Sequence, residues 1–173
     1  YLIYTIVYTN RNRFKDTHNF MVTASDPKGP WSDPIPLNKM GFDPSLFHDP
    51  DGTKWLVNML FDYRLDHKRF GGVGVQQYDP ETKKLVGPVY NVFKGSDKGT
   101  TEGPNIFYHD GWYYLVTAEG GTEFKHCVTM CRSEKLTGPY EISPYVPVLT
   151  SFGKDVQLKR AGHGQIIQGK DGN

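Results

Sequence analysis

The sequence predicts an all-β fold assembled from a recurring four-stranded unit. Three landmarks recur in the same order: an Asp-Gly turn (Asp51-Gly52, Asp110-Gly111, Asp171-Gly172), an aromatic-Leu strand, and a later Gly-Pro pair (Gly29-Pro30, Gly87-Pro88, Gly138-Pro139). The stretches between them are rich in Val, Tyr, Phe and Thr, which suit a pleated, half-buried surface, and none carries convincing helical periodicity. A four-stranded repeat of about 50 to 60 residues is the signature of a β-propeller blade. A β-sandwich whose turn signals recur by chance is the competing architecture, but it gives no reason for the landmarks to keep one order.

Taken in order, Tyr1-Leu2-Ile3-Tyr4-Thr5 is an aromatic-Leu strand lacking its turn, and Phe20-Met21-Val22-Thr23-Ala24 is the next strand. Gly29-Pro30 then leads into a strand at Trp31. The second unit runs through Trp55-Leu56-Val57-Asn58-Met59-Leu60-Phe61, Val73-Gly74-Val75-Gln76-Gln77-Tyr78 and Val89-Tyr90. The third runs through Tyr114-Leu115-Val116-Thr117-Ala118, His126-Cys127-Val128-Thr129-Met130-Cys131 and Tyr140. The expected organisation is a blade without its innermost strand at 1–41, blades at 42–100 and 101–161, and the start of another at 162–173. Because a propeller closes with four or more blades, and both chain ends fall within elements, the chain reads as a piece of a longer protein.

Composition narrows the function. With 173 residues, 37% hydrophobic and 14% aromatic, the chain can fold as one domain. Twenty Lys and Arg against 19 Asp and Glu leave a formal charge of +1, so nothing attracts a nucleic acid. No apolar run reaches the ~18 residues of a membrane span, so no membrane partner is expected, and nothing in the sequence speaks to oligomeric state. Cys127 and Cys131 fall on one face of a strand roughly 13 Å apart, beyond the reach of a mutual disulfide. Two unpaired thiols lean weakly towards a reducing, cytoplasmic compartment.

Asp43, Glu102 and His163 each stand eight residues before an Asp-Gly turn. In a propeller the equivalent positions of successive inner strands converge on the central axis, so the three side chains are expected around one funnel. Pro44 and Pro104 stiffen the strand starts, while Gly103 and Gly164 allow the close approach of a ligand. Two carboxylates in a partly desolvated funnel do not both ionise easily, so one keeps its proton towards neutral pH and can act as a general acid. Glycosidic hydrolysis needs such an acid, together with a second carboxylate that activates water or attacks the sugar.

Other signals carry less. Gly71-Gly72-Val73-Gly74-Val75 lacks the following helix and Lys-Ser/Thr of a phosphate loop and reads as the start of a strand. Asp49-Pro50-Asp51-Gly52 lacks the terminal Glu of a calcium loop and reads as a β-turn. Six histidines show no zinc-ligand spacing, and Arg11, Arg13 and Lys15 suit a solvated hairpin loop.

At Gly41-Phe42-Asp43-Pro44-Ser45-Leu46-Phe47, Thr101-Glu102-Gly103-Pro104, Thr117-Ala118-Glu119-Gly120-Gly121-Thr122 and Ala161-Gly162-His163-Gly164-Gln165, the chain resembles glycoside hydrolase family 43. The likeness is greatest to its β-xylosidase and α-arabinofuranosidase members and covers nearly all 173 residues. The resemblance implies a five-bladed propeller that hydrolyses with inversion on xylo- or arabino-oligosaccharides, with Glu102 as the general acid and Asp43 tuning and holding it. It implies that His163 lies near the axis, where many members hold a central calcium ion largely through water. No cofactor is required for the chemistry. Phe61, where relatives often have Trp, and Thr122 match positions that shape the sugar pocket, and Arg64 is a further candidate for a sugar hydroxyl. Core packing for Phe61, a strand-end hydroxyl for Thr122 and a solvated surface position for Arg64 are the alternatives. No residue matches the family's water-activating Asp, so the segment alone is expected to be inactive. A non-catalytic carbohydrate-binding propeller is the rival reading, and a protein-interaction scaffold a more distant one.

Overall fold

Every regular element among the described residues is a β-strand, as the composition predicts. The computed structural model describes residues 1–9, 11, 14–167 and 169–170. Within them, β1 (Leu2–Thr9), β2 (Asp16–Val22) and β3 (Ile35–Pro36) form one sheet in that order. The second sheet is β4 (Gly41–His48), β5 (Lys54–Phe61), β6 (Phe70–Asp79) and β7 (Lys84–Phe93), again in sequence order. The third runs β8 (Glu102–His109), β9 (Trp112–Glu119), β10 (Cys127–Ser133) and β11 (Glu141–Ile142), with β12 (Leu149–Thr150) also pairing β10. All pairings are antiparallel.

Local chemistry explains where strands stop and where they bend. Asp51 accepts hydrogen bonds from the Thr53 amide and hydroxyl at 2.8 and 2.6 Å, which closes the β4–β5 loop as the expected turn. The Gly71–Val75 stretch lies inside β6, where an added Cβ at Gly72 would collide with the Asn91 side chain. Two predicted strand positions shift. Trp31 lies outside the strand, because Ser32 and Thr23 bind each other there and delay the ladder until Ile35. Gly87-Pro88 sits within β7 rather than ahead of it. Val75 faces Tyr90 and Gln77 faces Val86, so extra β7 residues bulge out where Pro88 has no amide hydrogen to offer. The described residues of 161–170 form no strand, and Asp171-Gly172 and Arg13 lie outside the described residues.

The main core fills the space between the second and third sheets, with Val57, Val73, Val75 and Leu115 excluded from solvent. Burial of each such side chain stabilises by roughly 1.5–3 kcal/mol relative to exposure. A smaller cluster of Met21, Ile35 and Tyr78 joins the first sheet to the second. Cys127 and Cys131 are both buried free thiols in β10, facing the Glu119 and Leu115 carbonyls of β9.

A run of side-chain amides secures the step from the first sheet to the second. The Thr5 hydroxyl donates to Asn19 Oδ1 (2.7 Å), Asn19 Nδ2 to Asn38 Oδ1 (2.8 Å), and Asn38 Nδ2 to Asn58 Oδ1 (3.1 Å). Thr17 donates its hydroxyl to the Gly41 carbonyl at 2.7 Å, at the first residue of β4. Asn19 is 1% exposed, so its amide is a buried polar group that the network must satisfy. Asn19→Leu strands the partners on both sides and is expected to destabilise the protein by about 1–3 kcal/mol, read as a fall in the denaturation midpoint of the full-length protein; an unchanged midpoint would contradict the role given to the network.

Candidate active site

The site is built on a backbone irregularity repeated in two sheets. Along β4, Phe42 faces Met59 and Ser45 faces Val57, so Asp43 and Pro44 together oppose one residue of β5. Along β8, Glu102 faces Ala118 and Asn105 faces Val116, so Gly103 and Pro104 do the same. The first bulged residue takes a left-handed conformation in both, with φ of 51° at Asp43 and 58° at Gly103. Asp is among the few side chains that tolerate this region. His163 shares it, with φ of 51°.

This register corrects the expectation that Asp43 and Glu102 are equivalent. The counterpart of Asp43 is Gly103, and the counterpart of Glu102 is Phe42. Counting back from the Asp-Gly turns misplaces the match by one residue because the connecting loops differ: residues 49–53 separate β4 from β5, whereas Asp110-Gly111 alone separates β8 from β9. The two carboxylates are nonetheless near enough for the Asp43 charge to act on Glu102.

At that junction the Gly103 amide donates to Asp43 Oδ2 at 3.0 Å, and the Ser45 hydroxyl donates to the Pro104 carbonyl at 2.7 Å. The His163 imidazole lies on Gly103, in the space an added Cβ would occupy. Gly103 is thus needed for close approach, but by the imidazole rather than by a ligand alone. A cavity of about 380 Å³ opens here, lined by Tyr4, Thr5, Asp43, Ser45, Asn105 and His163 among others. Its size falls within the ordinary range for small-ligand pockets.

Electrostatics separates the two carboxylates. Burial pushes both above the ordinary carboxylate range. For Asp43 this is opposed by His163 and by the Gly103 N–H, which favour its ionised form. Glu102 is instead raised further by the Asp43 charge, with His163 and His126 opposing. His163 and the Gly103 amide favour the ionised form of Asp43, and the Asp43 charge raises Glu102, so a proton shared by the pair is better placed on Glu102.

The other expected residues fall at the same ends of these sheets. Phe61, the last residue of β5, packs with its ring tilted against Phe42, centroids 5.3 Å apart, and against Tyr63 at 5.8 Å. Thr122 is exposed in the β9–β10 turn, just beyond the end of β9 whose Ala118 pairs Glu102. Arg64 sits in the β5–β6 loop, and its guanidinium binds Asp62 through Nε at 3.0 Å and a second nitrogen at 2.6 Å. That pairing holds Asp62 well below the usual carboxylate range. Among the described residues, no three His, Cys, Asp or Glu side chains are grouped to hold a metal ion. His163 with Asp43 offers too few oxygen donors for calcium by itself.

Two buried groups beside Glu102 were not singled out from the sequence. His126 is 7% exposed, and its ring fills the space against Gly162. Glu119 is completely buried at the end of β9. The only sequence signal for either was membership of the strand ends around the Glu-Gly-Gly-Thr turn.

Gly103→Ala places a methyl group against the His163 ring in a left-handed backbone. The imidazole is expected to move by on the order of 1 Å to regain van der Waals separation, which a crystal structure of the full-length variant would show. An unmoved ring on an unmoved strand would contradict the contact.

A sequence profile described as Glycosyl hydrolases family 43 matches residues 1–173. The chain is similar to Xylosidase/arabinosidase 43B of Humicola insolens, 51% identical over 99% of this chain and 32% of that protein. It is also similar to a beta-xylosidase of Bacillus subtilis, 46% identical over 97% of this chain and 32% of that protein. Among solved structures, the xylan beta-1,4-xylosidase of Bacillus halodurans superposes with a TM-score of 0.95 at 52% identity, covering 98% of this chain and 33% of that one. The chain thus spans about a third of the length of these relatives. Its match along the full sequence, on the same bulged strands that carry Asp43 and Glu102, makes it a member of glycosyl hydrolase family 43.

Proposed function

We propose that this segment supplies the general acid of a glycosidase that cleaves xylosidic or arabinosidic bonds in hemicellulose-derived saccharides with inversion. The observation that carries the reading is the asymmetric carboxylate pair: Asp43 bound by the Gly103 amide, and Glu102 half-buried and raised by burial and by the Asp43 charge. Family membership and relatives named as xylosidases and arabinosidases support the substrate class. The three sheets are then consecutive blades of a five-bladed propeller, with β4 and β8 as inner strands.

In the reaction, the Glu102 carboxyl donates its proton to the glycosidic oxygen as the bond from that oxygen to the anomeric carbon breaks. The bonding electrons leave with the oxygen, so the departing group is a neutral alcohol. Water attacks the anomeric carbon from the opposite face and loses a proton to a second carboxylate. No residue of this segment fills that role, and the reading assigns it to the rest of the full-length protein. The Asp43 charge raises the proton affinity of Glu102 and so helps keep it protonated until substrate arrives. Phe61 and Phe42 form an apolar wall on which a sugar ring can stack. Thr122 offers a hydroxyl at the rim, and Arg64 takes a more peripheral place because Asp62 already engages its guanidinium. His163 closes the axial side of the pocket. A central calcium would need ligands beyond those present here, largely water.

Glu102→Gln keeps the shape and removes the proton that is transferred. In the full-length protein it is expected to lower hydrolysis of alkyl pentosides by roughly 10²–10⁴-fold, the usual share of a general acid; full retained activity would contradict the assignment.

A further inference from the structure

We propose that Glu119 is a positioning residue for the general acid: its buried carboxylate clamps the connection between the second and third sheets, and so fixes where Glu102 begins β8. The inference rests on the role given to Glu102 above. The connection, residues 94–101, has no regular structure, yet it ends directly at Glu102. Glu119 binds it near both ends. One carboxylate oxygen accepts the Ser96 amide at 2.9 Å and the Thr101 hydroxyl at 2.6 Å, and the other accepts the Ser96 hydroxyl. Between these anchors, the Gly120 amide donates to the Gly99 carbonyl at 2.7 Å.

Carboxyl oxygens are kept out of water at low cost only when hydrogen-bond partners satisfy them. Glu119 is 0% exposed and Thr101 is 1% exposed, and three donors converge on the two oxygens. A linker that came loose would leave buried acceptor oxygens without partners, so their satisfaction holds the linker in one conformation. Glu119 follows Ala118, the residue paired with Glu102, and Thr101 precedes Glu102. The clamp therefore ties the residue before the acid to the strand that pairs with it. Glu119 has its oxygens turned to the linker and does not take part in proton transfer. Glu119→Gln leaves one acceptor oxygen and an amide nitrogen that can only donate, so the donors that now share two oxygens are no longer all satisfied.

A displaced general acid leaves a distinctive mark. An alkyl leaving group needs the proton, whereas a para-nitrophenyl group departs readily without it. A change that merely loosens the fold lowers both rates alike. The test measures kcat and KM of the full-length protein and its variants on methyl and para-nitrophenyl glycosides of the same pentose. For Glu119→Gln, kcat on the methyl glycoside is expected to fall on the order of 10²-fold, the cost of a small misplacement, with less than about tenfold loss on the nitrophenyl glycoside. KM should stay within about threefold on both. Thr101→Val should show the same skew to a smaller degree, and Thr101→Ser should restore the wild-type ratio. If Glu119→Gln is not recovered folded, Ser96→Ala and Thr101→Val carry the comparison. Equal losses on the two substrates, or no loss, would overturn the positioning role while leaving Glu102 as the acid. A wild-type protein that cleaves neither glycoside would overturn the functional reading and this inference with it.

Discussion

The hydrogen bond from the Gly103 amide to the Asp43 carboxylate is the contact on which the site depends. It crosses from the third sheet to the second and joins two strands at the same bulge. Asp43 reaches the amide because its own backbone is left-handed, and Gly103 presents the amide because its backbone is left-handed too. The absence of a side chain at Gly103 then leaves room for the His163 ring. One backbone geometry thus positions the Asp43 carboxylate and seats the imidazole. Pro44 and Pro104 follow the bulged residues and fix the chain direction as the ladder resumes.

A second constraint is that each connection leading to a site residue is held by buried polar groups rather than by apolar packing. Asn19, Asn38 and Thr17 secure the approach to Gly41, two residues before Asp43. Glu119 secures the approach to Glu102. The Ser151 hydroxyl accepts the Ala161 amide at 3.0 Å, two residues before His163. Hydrogen bonds have direction, and apolar contacts do not. Placing them at the connections gives each site residue a defined starting point, while the core of Val57, Val73, Val75 and Leu115 supplies the less directional part of the stability.

Strand type and order were legible because turn chemistry and β-branched, aromatic runs repeat. The Asp51-Gly52 and Asp110-Gly111 turns close adjacent strands as expected. Register was not legible. A loop of five residues in one sheet and two in the next cannot be told apart by counting to a shared Asp-Gly, and a one-residue bulge leaves no compositional trace beyond the Pro after it. That is why Asp43 and Glu102, correctly grouped, were paired at the wrong position. A strand is expected at Trp31 because Gly29-Pro30 precedes it as Gly-Pro precedes the fourth strand elsewhere, but the Ser32 side chain binds Thr23 and holds the loop open until Ile35. Glu119 and His126 were passed over because nothing in one sequence distinguishes a buried carboxylate or imidazole at a strand end from an exposed one.

The central claim is that the Asp43 charge, held in place by Gly103, helps keep the proton on Glu102. A carbon-13 NMR titration of the Glu102 side chain in the full-length protein, with and without Asp43→Asn, tests it most directly. Removing a neighbouring negative charge makes ionisation of Glu102 easier, so its titration should move to lower pH in the variant. It should still lie above the ordinary carboxylate range, because burial is the larger cause of the shift and remains. A Glu102 titration that stays where it was, or moves to higher pH, would contradict the account.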